Sequence, residues 1–320
     1  MSARQKRQRK NENELEKHIK RFLEYLEIER NCSSLTRRNY QHYLFRFLEW
    51  SEKNLRRFKI ENLTLEQVTK YRVFLARFEN SRGMVLSRAT QSYHVIALRS
   101  FLKYLIKRDF KTLAPEKIEL PKTESRSLKF LSTEQMQRLL DSPSISSISQ
   151  LRDKAILEIL FSTGLRVSEL TKLNREEIDL KRREFGVLGK GGRPRVVFLS
   201  KRAVKWLERY LNERQDDWKP LLIRFGGKID ETRQGEKMRL SPRSVQRIVE
   251  KYVKKAKLPI KITPHGMRHS MATDILMGGA DIRAVQEMLG HKNIATTQIY
   301  THITNKQLKN IHDKYHSGNK

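Results

Sequence analysis

Side chains that could do chemistry are concentrated from Thr263 to Leu276, in the stretch TPHGMRHSMATDIL, whose spacing predicts a helix. His265 and His269 lie four residues apart and could hold a metal ion, whereas His265 and Arg268 could share a phosphate. A zincin motif needs a glutamate directly after the first histidine, but Gly266 stands there, and the fixed charge of Arg268 would repel a metal. Zinc is therefore disfavoured. A phosphate site and an ordinary pairing of a buried His265 with an exposed Arg268 both stay open.

Three other short stretches carry reactive side chains at ordered positions. TGLRVSEL places Arg166 after a Thr-Gly turn and Glu169 one helical turn later. LGKGGRPR places Lys190 among glycines at the tip of a predicted hairpin. LGHKNIATTQIYTHI carries His291 and, nine residues later, Tyr300. These stretches supply several cations, two histidines and a phenol, which together suit work on a phosphate group.

The four stretches together resemble the tyrosine recombinase (phage integrase) family, and within it the Xer-type recombinases of bacteria. The resemblance covers most of the chain, and TTQIYTHI is similar to Xer proteins almost letter for letter. Gly266 and Met267 stand where many relatives carry bulkier or leucine residues, a departure that concerns packing rather than chemistry. The six positions that match catalytic residues of the family are Arg166, Lys190, His265, Arg268, His291 and Tyr300.

Two arginines can take the place of a metal at the reacting phosphate. Breaking a phosphodiester requires stabilisation of charge on the nonbridging oxygens, which many enzymes provide with Mg²⁺. The sequence shows no obvious carboxylate cage for a metal, while a guanidinium is always charged and its fork matches phosphate oxygens. Arg166 and Arg268 are therefore the predicted clamp, with His291 as a further donor. No cofactor and no metal are expected.

The remaining matched residues would move protons and form the covalent bond. Tyr300 is the predicted nucleophile, because nearby cations favour the phenolate of a side chain whose ordinary pKa is about 10. His265 would accept its proton and Lys190 would protonate the leaving 5′ oxygen, leaving a 3′ phosphotyrosyl bond and a 5′ hydroxyl. Glu169 would orient Arg166, as its family counterpart does. Rejoining then needs no ATP.

The composition favours a nucleic acid partner. The chain has 320 residues with 67 Lys+Arg against 36 Asp+Glu, a formal charge of +31, and this excess attracts a polyanion. No apolar run approaches the roughly 18 residues of a membrane span, and the basic N-terminus lacks the apolar core of a signal peptide. The only cysteine, Cys32, excludes an intrachain disulfide. A cytoplasmic, nucleoid-associated protein without membrane contact is expected.

The periodicity of the chain predicts a mainly α fold with a small β-sheet in two domains. Four amphipathic helices fill the first third, and a proline-bearing stretch of mixed charge then reads as a linker. The second part mixes helices with one β-hairpin. The resemblance implies a SAM-like core-binding domain and an α+β catalytic domain closed as a C-shaped clamp. The predicted parts are a basic tail at 1–10, a helical DNA-binding domain at 11–112, a linker at 113–128 and a catalytic domain at 129–320.

Contacts with DNA are predicted in both domains. Arg243 opens a basic helix in SPRSVQRIVEKYVKK, at a place where relatives send an arginine to a base in the major groove. A plain phosphate contact by the same residue stays open, and the basic tail is either a DNA-touching arm or simply solvated. The other candidate phosphate contacts are Arg37, Arg38, Arg88, Arg99 and Lys103.

The resemblance implies a role in chromosome dimer resolution by a tetramer on two duplexes. The tetramer would contain this chain alone or with a sister recombinase, and a septal DNA translocase would control it. A C-terminal helix at about 304–314 would contact the neighbouring subunit or merely close the domain. The alternatives are a mobile-element integrase or transposase, a type IB topoisomerase-like enzyme and, from another class, a catalytically silent architectural DNA-binding protein.

Overall fold

The computed structural model describes residues 13–80, 83–120, 130–189, 192, 194–227 and 234–290. The chain divides into two compact units, Met1–Ser125 and Arg126–Lys320. The described part is mainly helical with one two-stranded sheet, which confirms the predicted fold class. No helix in these described ranges is both long and apolar enough to cross a bilayer.

The first unit is built from four helices whose starts are set by polar caps. They are α1 (Glu14–Ile28), α2 (Ser34–Asn54), α3 (Leu65–Arg77) and α4 (Arg88–Ile106). The side chains of Ser33, Thr64 and Ser87 accept hydrogen bonds from backbone N–H groups in the first turns of α2, α3 and α4. These helices confirm the four amphipathic helices that periodicity predicts in the first third of the chain.

Helices α2 and α4 pack antiparallel through a mixed polar and aromatic seam. The Tyr40 hydroxyl lies 3.4 Å from that of Ser100, and Arg46 Nη1 lies 3.2 Å from His94 Nε2. Burial lowers the pKa of His94 to about 4, so its ring is neutral at pH 7. The two contacts between these helices place the N-terminal part of α2 beside the C-terminal part of α4.

Packing of the first unit extends into the segment that reads as a linker. Pro115–Lys117 forms a short 3₁₀ turn, and Ile118, only 1% exposed, belongs to the same hydrophobic core as the helices. A single 3₁₀ turn has no amphipathic period, so periodicity has nothing to detect there. The structure thus places the beginning of the predicted linker inside the first unit, while residues 121–128 lie outside the described ranges.

The second unit wraps helices around a central helix and carries the hairpin on one side. Strands β1 (Glu184–Leu188) and β2 (Pro194–Phe198) pair antiparallel as predicted, with Val187 opposite Arg195. A capping box opens the helix Thr133–Asp141, because Ser132 and Gln135 exchange hydrogen bonds. The helices are α5 (Thr133–Asp141), α6 (Ile148–Thr163), α7 (Val167–Leu170), α8 (Lys201–Asn212), α9 (Pro242–Lys255), α10 (Pro264–Met277) and α11 (Ile282–Leu289).

Helix α6 is buried on nearly every face because α5, α8, α9 and α10 all pack against it. Its charged side chains are paired inside this packing. Lys154 Nζ lies 3.0 Å from a carboxylate oxygen of Glu158, and Arg152 donates to Asp153 at 2.6 Å. Tyr252 from α9 also donates to Asp153, at 3.0 Å. Buried charges need such partners. The packed helix α6 ends at Thr163, just before the turn that carries Arg166.

Candidate active site

The turn that presents Arg166 begins where α6 ends. Gly164 adopts a left-handed conformation with φ +59° and closes the helix. A Cβ added there would lie 3.0 Å from Leu289 Cδ2 and 3.2 Å from Met271 Sδ, so glycine also permits a close approach of α10 and α11. The end of α6, the middle of α10 and the end of α11 therefore meet at one point directly before Arg166.

Arg166 is held by the residue that the sequence predicts as its partner. Arg166 Nη1 donates to Glu169 Oε1 at 2.8 Å, and the Arg166 backbone N–H donates to Glu169 Oε2 at 2.9 Å. Glu169 is only 9% exposed, whereas the side chain of Arg166 keeps 32% of its surface exposed. The guanidinium is thus anchored from behind and open on one side.

A second arginine, which the sequence does not predict as a site residue, binds the same carboxylate. Arg195 of β2 donates to both oxygens of Glu169, at 2.7 and 3.2 Å, and its side chain is 10% exposed. Burial acts to raise the pKa of Glu169, but hydrogen bonds from Arg195 and Arg166 outweigh it and hold that pKa below its ordinary value. The strand alternation that buries Val187 and Val197 is the sequence signal that also turns Arg195 inward.

Arg268 is buried, with 2% of its surface exposed. Its Nη1 donates to the carbonyl of Gly164 and its Nη2 donates to the carbonyl of Leu289. These bonds tie the turn before Arg166 to the end of α11, two residues before His291. The ordinary alternative of a buried His265 beside an exposed Arg268 is wrong, because α10 turns its arginine into the junction and leaves His265 at the surface.

The two histidines of α10 contact each other. His265 Nε2 lies 2.9 Å from His269 Nε2, and the two rings meet edge to face. One of the two nitrogens carries a proton and the other accepts it, so the contact requires at least one neutral ring. Desolvation by neighbouring groups, together with the charges of Arg268 and Arg166, lowers the pKa of His265. His265 is therefore neutral at pH 7 and able to accept a proton.

The predicted role of His265 as a general base makes the expected rate of strand cleavage depend on this lowered pKa. A general base works in its neutral form, which is lost as the pH falls through its pKa, so the acid limb of the cleavage rate should lie below pH 6.5. We expect His265→Gln to lower the rate by about 10²-fold and to remove that limb. Single-turnover cleavage from pH 5 to 8 measures both effects. If the cleavage rate of His265→Gln still falls at low pH in the same way, a group other than His265 causes that fall.

A cleft of about 870 Å³ is lined by four of the predicted site residues that the structure describes in the second unit, whereas Glu169 is not among its lining residues. Arg166, His265 and Arg268 line it together with Arg243, which the sequence assigns to DNA contact rather than to the reaction. Lys254 and Lys261 add further positive charge along the walls, and Glu250 is the single acid among the lining residues in the described ranges. The cleft therefore joins the predicted clamp to the predicted DNA-contacting helix α9.

Three of the six matched positions, Lys190, His291 and Tyr300, lie outside the described residues. The described chain nevertheless ends beside the clamp. Gly290, with φ +63°, closes α11 directly before His291, and a Cβ on it would lie 3.1 Å from Arg195 Cδ. Strands β1 and β2 likewise lead to and from Lys190. The predicted C-terminal helix and the basic tail fall outside the described ranges as well.

The five basic residues predicted to contact phosphate in the first unit do not form one patch. Arg37 pairs with Glu27 at 2.8 Å and is half-buried, whereas Arg38 is exposed. The antiparallel packing of α2 and α4 places these two toward the end of α4 that carries Arg99 and Lys103. Arg88 lies at the opposite end of α4. Four of the five thus share one end of the α2–α4 pair.

One group of side chains in the described ranges has the composition of a metal site. Ligand atoms of Glu14, His18 and Glu61 lie within 4.8 Å of one another in the first unit. None of these residues lines the cleft that holds Arg166, His265 and Arg268.

Comparison with known proteins identifies both units. The phage integrase family matches residues 129–307, and the SAM-like N-terminal domain of phage integrases matches residues 19–109. Tyrosine recombinase XerC of Pelotomaculum thermopropionicum is 35% identical over 306 residues, covering 93% of this chain and 97% of the relative. Tyrosine recombinase XerD of Oceanobacillus iheyensis is 34% identical over 304 residues, covering 94% and 99%.

Solved structures share the fold of this chain. The XerH site-specific recombinase bound to palindromic difH substrate gives a TM-score of 0.67 at 24% identity, covering 89% of this chain and 81% of that chain. The Tn1549 transposon integrase in complex with transposon right end DNA gives 0.68 at 18% identity, covering 92% and 99%. Such identities support the fold alone, and the sequence matches carry the assignment. The chain belongs to the phage integrase family of tyrosine recombinases and is a site-specific DNA recombinase.

Proposed function

We propose that this chain cuts and rejoins double-stranded DNA as an Xer-type recombinase, through a covalent bond between Tyr300 and a 3′ phosphate. The observation that carries the proposal is the cleft in which Arg166, His265 and Arg268 stand together. Three elements far apart in sequence, the turn after α6, the start of α10 and the end of α11, are bonded to one another around it.

The two arginines stabilise the charge that develops on the scissile phosphate. As the phenolate of Tyr300 attacks phosphorus, negative charge grows on the nonbridging oxygens. Arg166 is anchored through Glu169 and Arg268 through two backbone carbonyls, so both are positioned before DNA binds. Preorganised cations in a partly desolvated cleft act more strongly than the same charges in water.

Proton transfers complete the exchange of bonds. His265 accepts the phenolic proton of Tyr300, the new O–P bond forms, and the bond from phosphorus to the 5′ oxygen breaks. Lys190 gives its proton to that oxygen, and His291 donates a hydrogen bond to the phosphate. One O–P bond replaces another of similar energy, so the reverse reaction joins a strand without ATP.

The same cleft supports an extended contact with the duplex. Arg243 lines it at the start of α9, where its Nη1 is 3.3 Å from the side-chain oxygen of Gln246. An arginine presented in this way reads guanine in the major groove, or binds a phosphate beside it. The formal charge of +31 makes binding steeply dependent on salt, because each neutralised phosphate releases counterions.

The sequence relatives favour chromosome dimer resolution over mobile-element integration. The structural likeness is equal for an Xer protein and for a transposon integrase, at TM-scores of 0.67 and 0.68, so the fold does not separate the two roles. The identities of 35% and 34% are to XerC and XerD proteins. A preorganised, charged cleft also argues against a silent architectural protein, which has no need of one.

Assembly, control and location follow from this role. Recombination of two duplexes requires four strand cuts, so we propose a tetramer of this chain alone or with a sister recombinase. A septal DNA translocase would act on that complex, and the chromosome places the reaction at the nucleoid in the cytoplasm. The predicted clamp of two domains around DNA stays a prediction.

Trapped DNA tests the function and the choice of role together. Adducts are captured by denaturant from host cells that express the chain, and the attached DNA is sequenced. Sites near the replication terminus support dimer resolution, and sites that flank a mobile element support integration. A nicked duplex built on the recovered site should then accumulate the adduct in EDTA. Absence of any adduct contradicts the function, and loss of the adduct only in EDTA contradicts the metal-free chemistry.

A further inference from the structure

Arg195 stands behind the clamp without lining the cleft. Its two Nη atoms donate to the two oxygens of Glu169, while Glu169 also accepts from the guanidinium and the backbone of Arg166. Four hydrogen bonds therefore hold one carboxylate between two arginines. We propose that Arg195 is a positioning residue for strand cleavage, acting through Glu169 on Arg166; this inference rests on the proposed function.

Arg195 limits how Glu169 can bind the guanidinium of Arg166. A carboxylate beside a lone arginine commonly rotates to form a two-bond fork with its guanidinium. Glu169 bonds the Arg166 guanidinium through Nη1 alone, at 2.8 Å, because Arg195 and the Arg166 backbone N–H occupy the oxygens. Arg195 thus keeps Glu169 from turning the Arg166 fork away from the cleft. This single bond leaves the rest of the Arg166 guanidinium exposed toward the cleft.

Arg195 also changes the net charge of the cluster that it forms with Glu169 and Arg166. Glu169 with Arg166 alone is a neutral pair, so the field of the guanidinium at a bound phosphate would be largely offset. Arg195 brings the three-residue cluster to a net charge of +1 at a site where Glu169 is 9% exposed. The attraction for phosphate is weakly screened there, because buried charges are shielded less than exposed ones.

Stability alone gives no reason for an arginine at this position. A buried ion pair adds little net stability compared with apolar residues of similar size. Among the residues that the structure describes, the buried Nε of Arg195 has no hydrogen-bond partner, which is unfavourable for the fold. A Cβ at residue 290, whose φ of +63° already favours glycine, would lie only 3.1 Å from the Cδ of Arg195, so this side chain packs tightly against the end of α11.

The test compares two substrates that differ only at the scissile phosphate. One is the natural phosphodiester, and the other is a methylphosphonate in which a methyl group replaces one nonbridging oxygen and removes its charge. We expect Arg195→Gln to slow single-turnover cleavage of the phosphodiester by about 10- to 100-fold, in the range of other supporting contacts. The methylphosphonate should be cleaved within about threefold of the wild-type rate, because it needs less charge stabilisation. Arg195→Lys, which keeps the charge, should recover part of the phosphodiester rate.

A matched control separates positioning from folding. Arg214 is a buried arginine bound to Asp216 and to the carbonyls of Pro220 and Leu221, and it does not line the cleft. Arg214→Gln should lower the melting temperature and affect both substrates equally. In a Glu169→Gln background, Arg195→Gln should cause little further loss, since the two residues act in series.

The outcomes are distinct. Equal losses on both substrates for Arg195→Gln, or losses that add to those of Glu169→Gln, overturn the inference while leaving the proposed function standing. If the wild-type chain forms no adduct on either substrate, the proposed function fails and the inference fails with it. A smaller loss on the methylphosphonate together with non-additivity supports both.

Discussion

Replacement of Arg268 by alanine is expected to lower strand cleavage by about 10³-fold or more, as removal of a preorganised donor does in other enzymes. The expected loss has two sources. The cleft loses one of its two clamping arginines, and the carbonyls of Gly164 and Leu289 lose a shared donor inside a junction where Arg268 is only 2% exposed. Each unsatisfied buried carbonyl costs about 1–3 kcal/mol. Cleavage of a nicked duplex, gel-shift binding and thermal melting measure the three consequences.

Arg268→Lys separates the two sources. A lysine retains the charge but has no planar fork with which to reach both carbonyls and a phosphate. We expect DNA binding to be largely retained in both variants, because Lys254, Lys261 and Arg243 remain along the cleft. The melting temperature should fall in both variants. Unchanged cleavage by the alanine variant would rule out Arg268 as part of the clamp.

The second large effect is expected for Tyr300→Phe. Without the phenolic oxygen no O–P bond can form, and the covalent adduct should fall by more than about 10⁴-fold, as for loss of other nucleophiles. Binding should be unchanged, since only one oxygen is removed. Denaturing electrophoresis of protein with labelled nicked DNA detects the adduct. The predicted chemistry fails if the phenylalanine variant still forms it.

Two other tyrosines provide controls for that experiment. Tyr252 is buried and donates to Asp153 at 3.0 Å, and this burial raises its pKa, so it is held as a phenol. Tyr252→Phe should cost stability and leave adduct formation intact below the melting temperature. Tyr315 lies in the same C-terminal part of the sequence as Tyr300 but outside the spacing of nine residues from His291. Tyr315→Phe should therefore keep full activity.

The sequence by itself determined the local features of the fold. The starts of α2, α3 and α4 follow from serine and threonine caps, the end of α6 from Gly164, and the hairpin from glycines between alternating strands. The pairing of Glu169 with Arg166 also follows from a spacing of one helical turn. All of these depend on residues that lie within a few positions of one another, so a short stretch of chain contains the information.

Burial and pairing across elements were decided only by the tertiary structure. Periodicity leaves open whether His265 or Arg268 faces inward, and packing of α10 between Gly164 and Leu289 settles it for the arginine. The same holds for Arg195, whose partner Glu169 is 26 residues away. Such contacts depend on where whole helices and strands meet. No short stretch of the sequence contains a signal for that meeting point. The chemistry could therefore be predicted from residue types and order, whereas the support that positions it required the folded chain.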